Sequence, residues 1–262
     1  MSSNRLRVLL VSMLAVFAIS AVASASASAH RVWTVKGAIL ATGVPKTFSI
    51  TKSGSFILTA GTEKITCTEE MLEGSGEIEN VLVEGKGPTG KDRATVKFKK
   101  CTASKAGCTV VEPIIVKGTT VLAEQVLTKK QEEEKVKPKI YDVFLPEAGK
   151  ELTPAEITTF EAKEKGLATK EQEKLHPYTK IEQTGTGCVA VTTVEGDGVA
   201  AEIVPEGEAT SHELNFPATP ITPVKLWNGL TITLKLKAFG VAAKEVGKLT
   251  IALTTGEAFG VQ

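Results

Sequence analysis

Four cysteines, Cys67, Cys101, Cys108 and Cys188, are the residues of this chain best equipped for chemistry. A Cys-x-x-Cys pair would make a redox couple or half a zinc site. Successive cysteines are instead separated by 33, 6 and 79 residues, which fits no zinc-ligand spacing. An even number, if the compartment is oxidising, is the arithmetic of two disulfides. Of the three possible pairings, Cys67 with Cys101 and Cys108 with Cys188 is favoured, because the first two stand at the ends of predicted strands running the same way. The alternative staples Cys101 to Cys108 across a short loop and leaves Cys67 to Cys188.

Other candidate motifs fail on their second requirement. Gly85-Lys86-Gly87-Pro88-Thr89-Gly90-Lys91 has the glycine and lysine spacing of a phosphate-binding loop. Asp92 then stands where Ser or Thr should hold magnesium, and a strand follows where a helix should begin, so a hairpin turn is expected. Leu145-Pro146-Glu147-Ala148-Gly149 has the outline of a sortase signal, but it sits mid-chain with Ala in place of Thr. His30, His176 and His212 form no helical metal pair, and Ser211, His212 and Glu213 are too close in sequence to converge as a triad. A surface turn is expected for Ser211, His212 and Glu213. Glu195-Gly196-Asp197-Gly198 lacks the later ligands of a calcium loop. The sequence thus assigns no catalytic residue, metal ligand or cofactor.

Carboxylate chemistry is the open alternative. Of the 30 acidic residues 27 are glutamate, and the pairing of acids in a glycosidase is a matter of three dimensions. Against it stands the aromatic content: Trp33, Trp227, Tyr141 and Tyr178 are all the Trp and Tyr there are, too few for a sugar-stacking groove. Trp33 and Trp227 read as packing residues.

The elements that must position these residues begin with an export signal. Arg5 and Arg7 lead into an apolar run, Val8 to Ala23, that closes on Ala27-Ser28-Ala29, the layout of a secretory signal peptide. A mature chain from His30 is expected, as one β domain over 30–262. An apolar run of about 16 residues is short of the roughly 20 that span a bilayer, so no stable membrane span is expected once residues 1–29 are removed. The chain has 31 basic and 30 acidic residues; loss of Arg5 and Arg7 leaves 29 and 30, a formal charge of −1. A near-neutral surface with Arg31 and Arg93 as its guanidinium groups excludes nucleic acid as a partner.

The rest reads as antiparallel strand. Leu230, Ile232, Leu234 and Leu236 alternate with Thr231, Thr233, Lys235 and Lys237, and Leu249, Ile251 and Leu253 repeat the pattern. Similar segments cover 47–60, 63–68, 77–85, 94–101, 110–117, 119–128 and 188–204, punctuated by glycines. An all-β sandwich or open barrel follows. From Lys129 to Lys180 the composition turns to Lys, Glu and Gln, with capping boxes at Thr153-Pro154-Ala155-Glu156 and Thr169 to Gln172, which predicts a charged helical insertion between two strands. It reads as a solvated excursion.

Ile65-Thr66-Cys67-Thr68, Val96 to Thr102 with Cys101, Gly107-Cys108-Thr109, and Cys188 followed by Gly198 to Pro205 together resemble a group of secreted actinobacterial proteins of unassigned function. The likeness covers roughly residues 50–216. It implies an exported, disulfide-linked four-cysteine β domain and supplies no catalytic residue. The expected role is a non-enzymatic extracellular or envelope-associated module, structural or adhesive, with an envelope or protein partner. The alternative is a glutamate-dependent hydrolase of a wall or matrix polymer.

Overall fold

The computed structural model describes residues 31–83, 87–146, 176–226 and 231–262. The expected signal peptide, His30, the capping boxes at Thr153 and Thr169, Trp227 and the first two residues of the phosphate-loop-like string lie outside them.

Nineteen strands are found among the described residues. In chain order they are β1 (Trp33–Val35), β2 (Ala38–Ile39), β3 (Lys46–Ser53), β4 (Phe56–Ala60), β5 (Glu63–Leu72), β6 (Gly76–Val83), β7 (Gly87–Ala103), β8 (Thr109–Val110), β9 (Ile114–Gln125) and β10 (Ile140–Pro146). There follow β11 (His176–Thr184), β12 (Val191–Gly196), β13 (Val199–Val204), β14 (His212–Phe216), β15 (Val224–Leu226), β16 (Thr231–Ile232), β17 (Leu236–Ala238), β18 (Val241–Leu253) and β19 (Phe259–Val261). One short helix, α1 (Lys129–Glu133), is capped by Thr128, whose hydroxyl accepts from Gln131 N while the Gln131 side chain accepts from Thr128 N.

The register turns this list into a barrel. Along β18, Phe48 faces Leu253, Ser53 faces Leu249, Ile57 faces Val246 and Ala60 faces Ala243, so β3 and β4 are one strand bent at Gly54-Ser55. Along β7, Ile65 faces Ala103, Leu72 faces Val96, Glu77 faces Arg93 and Val83 faces Gly87, so β5 and β6 are likewise one bent strand. With these joined, the antiparallel ladder runs β3/β4, β5/β6, β7, β9, β10, β13, β14, β18. It then returns from β18 to β3/β4. This is a closed, up-and-down ring of eight, a size at which side chains either fill the interior or leave room for one small ligand. The all-β antiparallel class is as expected, and the ring is a closed barrel where a sandwich or an open barrel was the expectation.

Alternation sorts the side chains. Phe48, Ile78, Leu122, Ile140, Ala201, Leu214, Phe216, Leu249 and Ile251 face inward as one buried cluster. Outside, Val121, Tyr141, Val143 and Leu145 are covered by Val224, Leu226, Ile232 and Leu234 of the β14–β18 connection. One end of the ring is plugged by β1, which pairs with both β2 and β19. Asn80, fully buried on β6, fixes that plug: its Oδ1 accepts from Trp33 N at 2.8 Å, and its Nδ2 donates to Trp33 O at 2.9 Å and Leu40 O at 2.7 Å. Trp33 is wholly enclosed there, its Nε1 donating to Lys91 O, as expected of a packing residue.

Two expectations are corrected. Within 129–180, α1 is helical but Ile140–Pro146 and His176–Thr184 are strands, so the insertion does not run unbroken over those bounds; residues 147–175, with both capping boxes, lie outside the described residues. Ile140 to Leu145 is buried on both faces, inward and against the outer layer, and therefore lacks the alternation that marks a half-exposed strand. His212 does not lie on a surface turn. It is fully buried on β14, its ring nitrogens each 2.6 Å from a carbonyl, Nδ1 facing Pro205 O and Nε2 facing Phe259 O.

Candidate functional site

The barrel interior is divided by a layer of phenylalanines. Phe56 packs edge-on against Phe98 and Phe216, with ring centroids 5.4 Å apart in both pairs, and Phe144 meets Phe216 at 5.5 Å. Beyond this layer, at the end away from Trp33, the inward positions are not filled. A cavity of about 110 Å³ lies among Leu58, Ile65, Val96, Ile114, Val116 and Leu249, with Gly118 on its wall. Gly118 was expected to separate two strands. It lies inside β9, and a larger residue there would project into the cavity.

The open end of that cavity is closed by the β11–β12 hairpin, which contributes Tyr178, Ile181 and Val194. The hairpin is held on three sides. β8 pairs with β11 and β17 pairs with β12. The Tyr178 hydroxyl donates to Phe144 O at 2.9 Å and the Thr179 hydroxyl to Ile115 O at 2.6 Å. The structure also joins Cys108 to Cys188, 80 residues apart, which ties the hairpin to the β7–β9 connection. Cys67 and Cys101, opposite each other on β5 and β7, form the second disulfide, in the wall of the same cavity. The bend of β7 beside it places Lys100 at φ 51° and frees two amides, and Glu112 accepts both, from Lys100 N at 2.8 Å and Cys101 N at 2.6 Å.

Glu245 is the one carboxyl among the described residues lining this cavity. Burial, and next the negative charge of Glu70, push it up to about 7. Glu70 is itself buried on β5 and pushed up to about 7 by burial, with the Ser53 hydroxyl offsetting part of the effect. Tyr178 is raised well above its ordinary value by burial. The site is thus an apolar chamber with a carboxyl that is protonated up to about neutral pH.

A second opening adjoins it. β14 ends with Phe216 opposite Gly247, whereas β13 extends to Val199 and β18 back to Val241, so the wall lacks a strand between 198–200 and 242–245. A cavity of about 290 Å³ occupies this gap, bounded also by Pro217, Ile221, Leu234 and Leu236. Val199, Leu236 and Glu245 line both spaces.

Another acid pair lies near the plug. Asp92 on β7 and Asp142 on β10 flank Thr120 of β9, whose hydroxyl donates to Asp92 Oδ2 at 2.5 Å. As an acceptor Asp142 finds no donor for either oxygen; as a carboxylic acid it can donate to Asp92. Burial, and secondarily the Asp92 charge, raise Asp142 well above its ordinary value, and burial raises Asp92 to about 6. Two carboxyl groups this close resist ionising together, and with Asp142 at 0 % exposure the pair is sealed into the packing.

Single motif residues border these sites, Cys67 on the chamber, Gly198 on the second opening and Asp92 in the acid pair, but no motif assembles there as a unit. Gly87 to Lys91 is part of β7, and Glu195 to Gly198 is the end of β12 and its turn into β13. Among the described residues no three His, Cys, Asp or Glu side chains are grouped to hold a metal, and no helix is long and apolar enough to cross a membrane. No protein-family model matches the chain, and no curated protein or solved structure is significantly similar to it, so the site is read from its own geometry.

Proposed function

We propose that the protein is an exported, non-enzymatic binding module whose barrel takes a small, largely apolar molecule. The observation that carries this reading is the unfilled, apolar half of the lumen beneath a disulfide-tethered hairpin. A space of that size matters energetically: an engineered cavity of about 150 Å³ lined by aliphatic and aromatic side chains binds benzene. The signal-like leader before His30, the two disulfides and the resemblance to secreted actinobacterial four-cysteine proteins support an extracellular or envelope setting. Intact-mass measurement of exported material should give a chain beginning at His30.

The hydrolase alternative draws less support. Asp92 and Asp142 are enclosed in the wall near Trp33, and Glu245 faces a chamber too small to pass a polymer chain. Neither arrangement lets water and a glycosidic bond approach paired carboxylates.

Toluene tests the binding reading. It should raise the melting temperature of the intact protein in a concentration-dependent way, because a ligand that binds the folded state stabilises it. Val194→Phe, which fills the chamber from the hairpin, should abolish that response. A folded wild-type protein whose melting temperature does not respond to toluene would refute the reading.

A further inference from the structure

The gap in the barrel wall has a chemical asymmetry. Its floor, Val199, Leu236 and Ile221, is apolar and continuous with the lumen, whereas its mouth carries Lys235, Lys237 and Lys244. All three lysines are exposed and make no ion pair among the described residues. Glu195 stands opposite Lys237 in the ladder and Asp197 N donates to Lys235 O, yet neither acid lines the opening.

We propose that this opening admits a single-chain anionic amphiphile, its head group held by Lys235, Lys237 and Lys244 and its tail passing Val199 and Leu236 into the lumen. The inference rests on the binding reading above and names its ligand class. Charge complementarity selects the head group, since three unpaired ammonium groups at the edge of an apolar passage favour an anion and disfavour a cation. Concavity selects a single chain over a bilayer surface. Glu245, on the path between the two spaces, is held up to about 7 by burial, so below that pH the passage presents no carboxylate charge to repel an anion.

Titration calorimetry of the full mature chain at about pH 6.5 with octanoate, octanol and octylammonium tests the assignment. Octanoate should bind about tenfold more tightly than octanol, and octylammonium most weakly. The triple variant Lys235→Glu, Lys237→Glu, Lys244→Glu should lose the preference for octanoate while keeping its affinity for octanol. Ala242→Trp, at the exposed edge of the opening, should block octanoate without touching the lysines. Equal binding of octanoate and octanol, or tightest binding of octylammonium, overturns the head-group assignment and leaves the apolar chamber standing. Failure of all three amphiphiles overturns the chamber as a binding site as well. Retention on phosphatidylglycerol vesicles in place of octanoate binding overturns it in favour of a membrane surface.

Discussion

Moving the protein from about pH 5 to about pH 8 should destabilise it substantially. Glu70 and Glu245 are each displaced from an ordinary value of 4.5 to about 7, in both cases chiefly by burial. Between those values the folded chain retains protons that the unfolded chain has released. Their contribution to stability is therefore complete below about pH 4.5 and lost as pH rises through about 7. At about 1.4 kcal/mol per tenfold change in proton affinity, each displacement corresponds to roughly 3 kcal/mol. Glu70 and Glu245 repel each other, so their proton releases belong to the pair and the combined loss is less than twice that figure. Asp92 and Asp142 act in the same sense. Glu257 acts oppositely, held at about 2 by its hydrogen bonds to Lys36 and Lys46, but its effect falls below about pH 4.5 and outside the window. Urea unfolding at both pH values and constant ionic strength, followed by Trp33 fluorescence, provides the measurement. A loss on the order of 3 kcal/mol or more is a large share of the 5–15 kcal/mol typical of a domain. Equal stability at the two pH values, or greater stability at pH 8, would refute the placement of these acids inside the wall. Substituting both Glu70→Gln and Glu245→Gln should flatten most of the dependence and leave the part due to the aspartate pair.

Cys188→Ala should cost about 4.5 kcal/mol on a chain-entropy estimate for a loop of 80 residues, seen as a lowered melting temperature, and peptide mapping without reduction should link Cys108 to Cys188 in the wild type. Glu112→Ala strands the amides of Lys100 and Cys101, and a loss of roughly 2–3 kcal/mol is expected in chemical denaturation, with Glu112→Gln recovering only part of it. Gly247→Ala would place a methyl group 2.6 Å from the Phe56 ring in the aromatic layer; overpacking of this kind costs about 1–3 kcal/mol, and an unchanged melting temperature would count against the layer as described.

Much of the architecture was legible because half-buried strands alternate. The segments 47–60, 94–101 and 249–253 announced themselves through period-two patterning, and cysteine parity with strand ends led to the pairing that the structure contains. What escaped lies where a residue's type and its environment disagree. Ile140–Pro146, buried on both faces and flanked by Lys and Glu, looked like part of a charged excursion, although Asp142 inside an apolar run was a readable sign of a buried acid. Gly118 reads in sequence as a break between strands, but it is the small residue on the wall of an unfilled chamber. Glu70 and Glu245 were indistinguishable by sequence from the other glutamates, since only closure of the ring turns their faces inward. The gap beside β14 depends on one strand ending before its neighbours, a matter of length that composition does not encode.

Closure of the ring also sets a timetable. The seam joins the first wall strand to the last, and near it the hydroxyls of Thr47 and Thr254 meet across 207 residues of chain. A nascent chain emerging from its N-terminus therefore has β3 to β14 with two unpaired edges until β18 emerges, and the Trp33 plug waits longer still for β19. Contacts so distant in sequence form slowly, on the millisecond to second scale. Such a molecule stays open through most of its synthesis and commits to its final shape only when β18 and β19 are available. A truncation that removes β18 and β19 should accordingly yield an open, aggregation-prone sheet and not a smaller barrel.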